Sequence, residues 1–292
     1  MGRAPFLAYG RQQIDDEDIA AVVRVLKGDW LTGGPEVAAF EADFARAVSA
    51  RHAVANANGT AGLHMAADAA GLGPGTSAIV PTLTFLATAN CARYMGADVV
   101  FADVDPDSGL LTPDLLEQAL ARAAQAGVPQ PRAVLPVHLN GQTCDMVGIA
   151  DIALQHGLVV IEDACHAVGT VGEGQGAERT PTGACAHSTM AVFSFHPVKT
   201  FTSGEGGMVT TNDDALAARL RLFRNHGMTR DVARMGQRDE AIGPDGEVNP
   251  WYYEMAEPGF NYRLTDIACA LGRSQLAKLP RFAARRRALA AH

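Results

Sequence analysis

The chain has 292 residues, 48% hydrophobic and 19% charged, enough apolar mass for one large domain or two smaller ones. A net charge of -8 gives no basic footprint for nucleic acid, so acidic substrates have to be met by local cations or helix ends. Five cysteines without C-x-x-C spacing suggest no zinc site, and the absence of an apolar signal core or of any window near the ~18 apolar residues of a membrane span leads to the expectation of a soluble, cytoplasmic protein with reduced thiols.

In chain order, residues 14–27 carry Ile19, Val22, Val23 and Leu26 at helical spacing behind an acidic start, an amphipathic helix that Gly28 ends. In the turn-rich loop that follows, Trp30 and Thr32 are either loop packing or substrate contacts. A second helix over 37–48 presents Phe40 and Phe44 on one face. A short strand from His52 then runs into Asn58-Gly59-Thr60 and a helix of small residues. Free amides and a threonine hydroxyl at a helix start suit a phosphate dianion, although the same residues read equally well as a simple N-cap. They match neither a Walker A loop nor G-x-G-x-x-G.

From Ser77 onward strands and helices alternate: strands over 78–81, 98–103, 133–138, 158–163 and 189–194, and helices over 85–95, 113–124 and 145–156. Short, β-branched, nearly all-apolar strands separated by helices predict an α/β fold, a mostly parallel sheet covered by helices on both faces. Ligands of such sheets bind beyond the carboxyl ends of the strands, which singles out Phe85, His138, Asn140, Asp163 and His166.

Asp163 ends the apolar run Val-Val-Ile-Glu, where a carboxylate is costly unless it meets a cation or hydrogen-bond donors. Taken alone, such an aspartate is more often structural or metal-binding. Lys199 stands in FSFHPVKTFTSGEGG, residues 193–207. A lysine among apolar residues is usually a surface residue whose stem lies on apolar atoms. When it is partly desolvated, its pKa falls and its amine becomes a nucleophile toward carbonyl carbon. An aspartate for a ring nitrogen, a lysine for a Schiff base and a helix start for a phosphate together form the set that pyridoxal phosphate requires.

The blocks N-G-T-A-G-L-H, T-F-L-A-T-A-N, E-D-A-C-H-A, F-S-F-H-P-V-K-T-F-T-S-G-E-G-G and G-F-N-Y-R-L-T-D occur in that order. They resemble the DegT/StrS family of pyridoxal phosphate-dependent nucleotide-sugar aminotransferases, from about residue 6 to the last residue. Within that family, His-Pro-Val-Lys with its glycine-rich follower is most similar to the UDP-4-amino-4,6-dideoxy-N-acetyl-β-L-altrosamine transaminases of pseudaminic acid synthesis. The resemblance implies a fold type I large domain over 1–260, with 261–292 beginning a small C-terminal domain that is otherwise missing. It implies that Lys199 forms the Schiff base and moves the substrate proton, that Asp163 pairs with the pyridine nitrogen, that Phe85 stacks on the ring, and that His166 lies against the ring or its hydroxyl. Gly59, Thr60, Ala61 and Ser194 would hold the phosphate. Asn261 would reach the phosphate of a neighbouring subunit, which implies a homodimer with shared active sites. Glu205 and Arg263 are further candidates, and His196 either fixes the lysine loop or is a packed core residue.

The implied reaction moves an amino group from L-glutamate to C4 of a 4-keto-6-deoxy UDP-N-acetylhexosamine, a nucleotide 4-keto sugar, with no nucleic acid or membrane partner. Another 4-keto sugar of the perosamine type and a non-catalytic cofactor-binding fragment are the alternatives. Related sugar dehydratases replace the lysine by histidine, so Lys199 favours transamination. Two departures stand out. The polar, Gly-rich segment 234–249 is either a mobile loop near substrate or an inert surface elaboration. The chain also stops inside a predicted helix that follows another over 264–279, where the family continues into its small domain, so a truncated chain is expected.

Overall fold

The computed structural model describes residues 10–172 and 179–291. The first nine residues, part of the stretch read as lacking a signal core, and His292 lie outside them. Two helices open the fold, α1 (Asp16–Leu26) and α2 (Pro35–Val48). Asp15 caps α1 and exchanges side-chain-to-backbone hydrogen bonds with Asp18, while Pro35 starts α2 where its missing N–H has no acceptor to lose.

The alternating region follows: β1 (His52–Asn56), α3 (Gly59–Ala69), β2 (Ser77–Pro81), α4 (Leu86–Tyr94), β3 (Asp98–Ala102), α5 (Pro113–Gln125), β4 (Pro131–Val134), α6 (Met146–His156) and β5 (Val159–Asp163). A hairpin, β6 (Val171–Gly172) with β7 (Thr180–Pro181), leads to β8 (Met190–Ser194) and β9 (Gly207–Thr211). Then come α7 (Asp214–Arg224), β10 (Met228–Thr229), α8 (Arg238–Ala241), β11 (Glu254–Met255), α9 (Asp266–Ala277) and α10 (Leu279–Ala290). Among the described residues, no helix is long and apolar enough to cross a membrane.

Seven strands form the central sheet in the order β1-β9-β8-β5-β4-β2-β3. The pairs from β3 to β8 are parallel, as the alternation predicts. The strand absent from the sequence reading is β9. It runs antiparallel between β8 and β1, starting at the carboxyl ends of both neighbours, which aligns Asn56, Gly207 and Ser194 in one row. The strand expected over 133–138 is shorter than its apolar run. Pro136 has no N–H to give a ladder, and beyond Val134 only Val137 bridges to β5.

Side chains alternate across the sheet as a two-residue period requires. Ala78, Val80, Ile161 and Val192 face α3, α4 and α7, whereas Ile79, Val134 and Val160 face α5 and α6. On that second side Phe40, Phe44, Phe193 and Phe195 form an aromatic cluster with ring centroids 5.0–6.3 Å apart. Each such ring contributes roughly 1.5–3 kcal/mol by burial. Beyond residue 260, where a division was expected, α9 buries Cys269 and Leu276 in this same cluster. The segment 234–249 is tied down locally: the Glu254 carboxylate accepts the amides of Gly236 (2.7 Å) and Gln237 (2.9 Å), and Ile242 bridges Val248.

Candidate active site

A cavity of about 900 Å³ opens at the carboxyl ends of the central strands, between the start of α3 and the loop after β8. At the tip of β5, Asp163 is 5% exposed and lines this space. Its carboxylate accepts a hydrogen bond from Thr88 Oγ1 at 2.6 Å on Oδ2 and from the Cys165 amide at 3.2 Å on Oδ1. A buried carboxylate is thereby held by donors while retaining acceptor capacity toward the cavity. The preceding residue, Glu162, points to the other side of the sheet, where it meets His138 Nε2 at 2.9 Å. His138, a strand-end candidate by sequence, is therefore corrected to a buried partner of Glu162, and its Nδ1 accepts the Cys144 amide.

Lys199 follows β8 in a closed loop. The Phe195 amide bonds Gly206 O, Thr202 Oγ1 bonds Phe195 O, and Phe201 stacks on Phe195 at 4.7 Å. That stacked, buried pair anchors the loop, and the Lys199 amide closes a turn onto His196 O at 2.9 Å. The lysine side chain is half-buried on the cavity wall, with no carboxylate in ion-pair range among the described residues. His196 is exposed and its Nδ1 accepts the Val198 amide at 3.4 Å, which sets aside the packed-core reading in favour of a place in the lysine turn.

The start of α3 forms a third part of the wall through Asn58, Gly59 and Thr60. Asn58 Oδ1 accepts the Ala61 amide and Asn58 O accepts the Gly62 amide, which leaves the Gly59 and Thr60 amides without intrahelical acceptors. Ala61, expected beside them, thus has its amide engaged in the cap and lies off the cavity wall. Gly59 is required by distance: a Cβ there would stand 2.9 Å from Ser194 Cβ, so only glycine lets the helix start approach the end of β8. Ser194 lies on the wall, and its Oγ accepts the His196 amide at 3.4 Å.

Phe85, at the N-cap of α4, lines the cavity with a side chain 68% exposed, a flat apolar surface left uncovered by the chain itself. His166 stands near it in the wall, and its Nδ1 accepts the Asn140 amide at 3.3 Å, which places the ring proton on Nε2. Asn140 presents that amide from a left-handed backbone (φ 56°), which asparagine tolerates better than most residues. Burial, and then the positive charge of Lys199, lower the His166 pKa against the opposing pull of Asp163, so the ring is neutral at pH 7.

Glu205 also lines the wall. Arg263 donates to Asn225 instead, Thr32 bridges Thr265, and exposed Asn261 lies outside the cavity of its own chain. No described residue of 234–249 reaches the wall. Thr88 and Arg286 are among the residues on the wall or in contact with it that were not assigned from sequence. Thr88 lies one helical turn beyond Thr84 and bonds it at 2.8 Å, a hydroxyl pair at i,i+4 spacing that could have pointed inward. Arg286 reaches from α10 to donate to Lys199 O at 2.8 Å, a contact across 87 residues that no local pattern announces.

Comparison with known proteins gives this geometry a context. The sequence profile of the DegT/DnrJ/EryC1/StrS aminotransferase family matches residues 12–292. Among solved structures, the chain is similar to Helicobacter pylori PseC, an aminotransferase involved in the biosynthesis of pseudoaminic acid (27% identity, TM-score 0.78, covering 94% of this chain and 66% of that one). It is similar to S. venezuelae DesV, solved in complex with a ketimine intermediate (35% identity, TM-score 0.79, 94% and 65%). A protein of Streptococcus pneumoniae described as a sugar aminotransferase, in its PMP form, matches with 25% identity and a TM-score of 0.84 over 98% of this chain and 71% of that one. The chain spans about two thirds of the length of these proteins.

Proposed function

The chain belongs to the DegT/DnrJ/EryC1/StrS aminotransferase family, and on that premise we propose that its cavity holds pyridoxal phosphate and transfers an amino group from L-glutamate to C4 of a nucleotide-linked 4-keto sugar. The observation that carries this reading is the convergence of Lys199, Asp163 and the start of α3 on one cavity. The residues present fit the cofactor. A buried carboxylate with spare acceptor capacity suits a protonated ring nitrogen, and the exposed Phe85 ring suits a stacked heterocycle. The uncommitted Gly59 and Thr60 amides, with the Thr60 and Ser194 hydroxyls, suit a phosphate at the positive end of α3.

When bound, the cofactor supplies an electron sink for the carbon that loses its proton. Lys199 Nζ, on the cavity wall, would hold the cofactor and would move the proton at the substrate carbon. Asp163 keeps the ring nitrogen charged, and Thr88 fixes the rotamer of that carboxylate. Neutral His166 donates from Nε2 without adding positive charge beside Lys199. Donor and acceptor use one pocket in turn, so initial-rate plots should give parallel lines.

For the acceptor, the similarity to PseC supports a 4-keto-6-deoxy UDP-N-acetylhexosamine of pseudaminic acid biosynthesis. Asn261, exposed and outside its own cavity, supports a homodimer in which it meets the partner's phosphate. The cytoplasm, where glutamate and sugar nucleotides are held, is the proposed location. Amino transfer from glutamate to a panel of UDP-, GDP- and dTDP-linked 4-keto sugars tests the reading. Turnover with the UDP sugar, together with a visible cofactor absorbance lost in Lys199→Ala, supports it. A chain that stays colourless with added pyridoxal phosphate overturns it.

A further inference from the structure

Resting on the amino-transfer reading, we propose that a second, arginine-lined cleft beside Lys199 seats the diphosphate of the sugar nucleotide. This cleft, about 540 Å³, adjoins the first cavity and shares Lys199, Thr200 and Arg286 with it. Arg11 lines it from the N-terminal segment, and Arg281, Arg285 and Arg286 line it from α10. Among the described residues, no Asp or Glu does. That bias runs against a chain in which 32 acidic residues outnumber 24 lysines and arginines.

The carboxylates nearest to hand are already engaged. Buried Asp18 accepts from Ser274 Oγ, Gln275 Nε2 and Lys278 Nζ, and Asp15 also accepts from Lys278. Arg281 reaches Asp15 only at 3.8 Å, and Arg286 donates one N–H to Lys199 O. Arg11 and Arg285 have neither ion pair nor hydrogen bond within the described chain. Spacing of i,i+4 brings Arg281 and Arg285 to one side of α10, and Phe282, Arg286 and Leu289 follow beside them. The strand of chain carrying Arg11 is pinned opposite, where Gln275 Nε2 donates to Gln13 O at 2.9 Å.

Like charges gathered with only one distant carboxylate among the described residues, Asp15 at 3.8 Å from Arg281, repel one another, and the arrangement is relieved by an anion that takes several guanidinium forks at once. A diphosphate bridge offers two charges and several oxygens, whereas the carboxylate of an amino donor offers one charge. Its place beside Lys199 lets the sugar ring enter the first cavity while the nucleotide stays outside.

Calorimetric titration of inorganic pyrophosphate into the cofactor-loaded chain tests the assignment, with Arg11→Gln and Arg285→Gln as variants and glutarate as a parallel ligand. Loading first fills the phosphate seat at α3. Both arginines are exposed, and the thermal midpoint checks that the variants fold. Pyrophosphate should bind, and each variant should weaken it roughly tenfold, the scale of one charge-assisted contact. Glutarate affinity should be the same in all three proteins. No pyrophosphate binding, or equal binding by parent and variants, overturns the assignment. Loss of glutarate binding in the variants overturns it too, in favour of the amino donor. The cofactor band is read in the same samples: a band without pyrophosphate binding sinks this assignment alone, and a missing band sinks the amino-transfer reading with it.

Discussion

Lys199 and Lys278 carry the same side chain into opposite surroundings. Lys278 lies between α9 and α10, nearly buried, donating to Asp15 and Asp18 with Glu17 at 3.7 Å. Burial works against its charge, but the hydrogen bonds to Asp15 and Asp18 prevail and hold its pKa above the usual lysine value. Lys199 is half-buried on the wall of a large cavity, with a backbone loop to hold it and no carboxylate in reach among the described residues. A lysine enclosed by carboxylates is committed to being a cation and a fastener, whereas one without a carboxylate partner is, on the proposed reading, the group left for chemistry. Environment, not residue type, separates the two roles.

Substitution at each site should break different properties. Lys199→Ala should lower glutamate-dependent amino transfer on the order of 10³-fold, the scale of a positioned proton-transfer group. Urea unfolding should stay within about 0.5 kcal/mol of the parent, because no paired charge is lost. Lys278→Met should do the reverse. Fully buried Asp18 is left without its cation, which costs about 3–5 kcal/mol in the same urea experiment. Turnover per folded molecule should be unchanged. Equal stability losses in the two variants would remove the distinction.

Within the cavity, Thr88→Val removes the donor on Asp163 Oδ2. Cofactor affinity, measured by equilibrium dialysis, should fall about tenfold, as for other contacts that orient a ligating group, with a small effect on unfolding. Gly59→Ala places a methyl group 2.9 Å from Ser194 Cβ and should cost roughly 1–3 kcal/mol in thermal unfolding while weakening cofactor binding.

The smallest effect is pH-dependent. Burial raises the Asp18 pKa, but the hydrogen bonds from Lys278, Ser274, the Asp15 amide and Gln275 outweigh it, so the folded value lies below the ordinary 3.8. The unfolded chain therefore binds this proton more readily, and the stability it contributes is complete above 3.8 and lost as pH falls through the folded value. Urea midpoints at pH 7, 4 and 3 should fall more steeply for the parent than for Asp18→Asn.

Much of this was legible in residue order. The alternation of apolar strands and amphipathic helices gave the parallel part of the sheet. The strand ends gave Asp163, Phe85 and His166, and the glycine-rich run after Lys199 marked a tight loop. Reading failed where one side chain answers to residues far away. His138 looked like any strand-end residue until Glu162 claimed its ring from behind the sheet. At Ala61 the reason is local: Asn58, in the same helix start, accepts its amide. β9 is only Gly-Met-Val-Thr-Thr, and what makes it a strand is the open edge of β8 and β1 on either side.

The sequence by itself determined the alternating helices and strands from α1 to β5 and the strand β8, with the polar groups at their carboxyl ends, because these depend on periodicities of two and about 3.6 residues. Tertiary structure alone decided that Thr88 should hold Asp163, that α10 should bring Arg286 to the backbone of Lys199, and that one lysine should be locked among carboxylates while the other faces a cavity. The reason is physical. A side chain's charge and proton depend on what lies within a few ångströms, and for these groups those neighbours come from as many as 263 residues away along the chain.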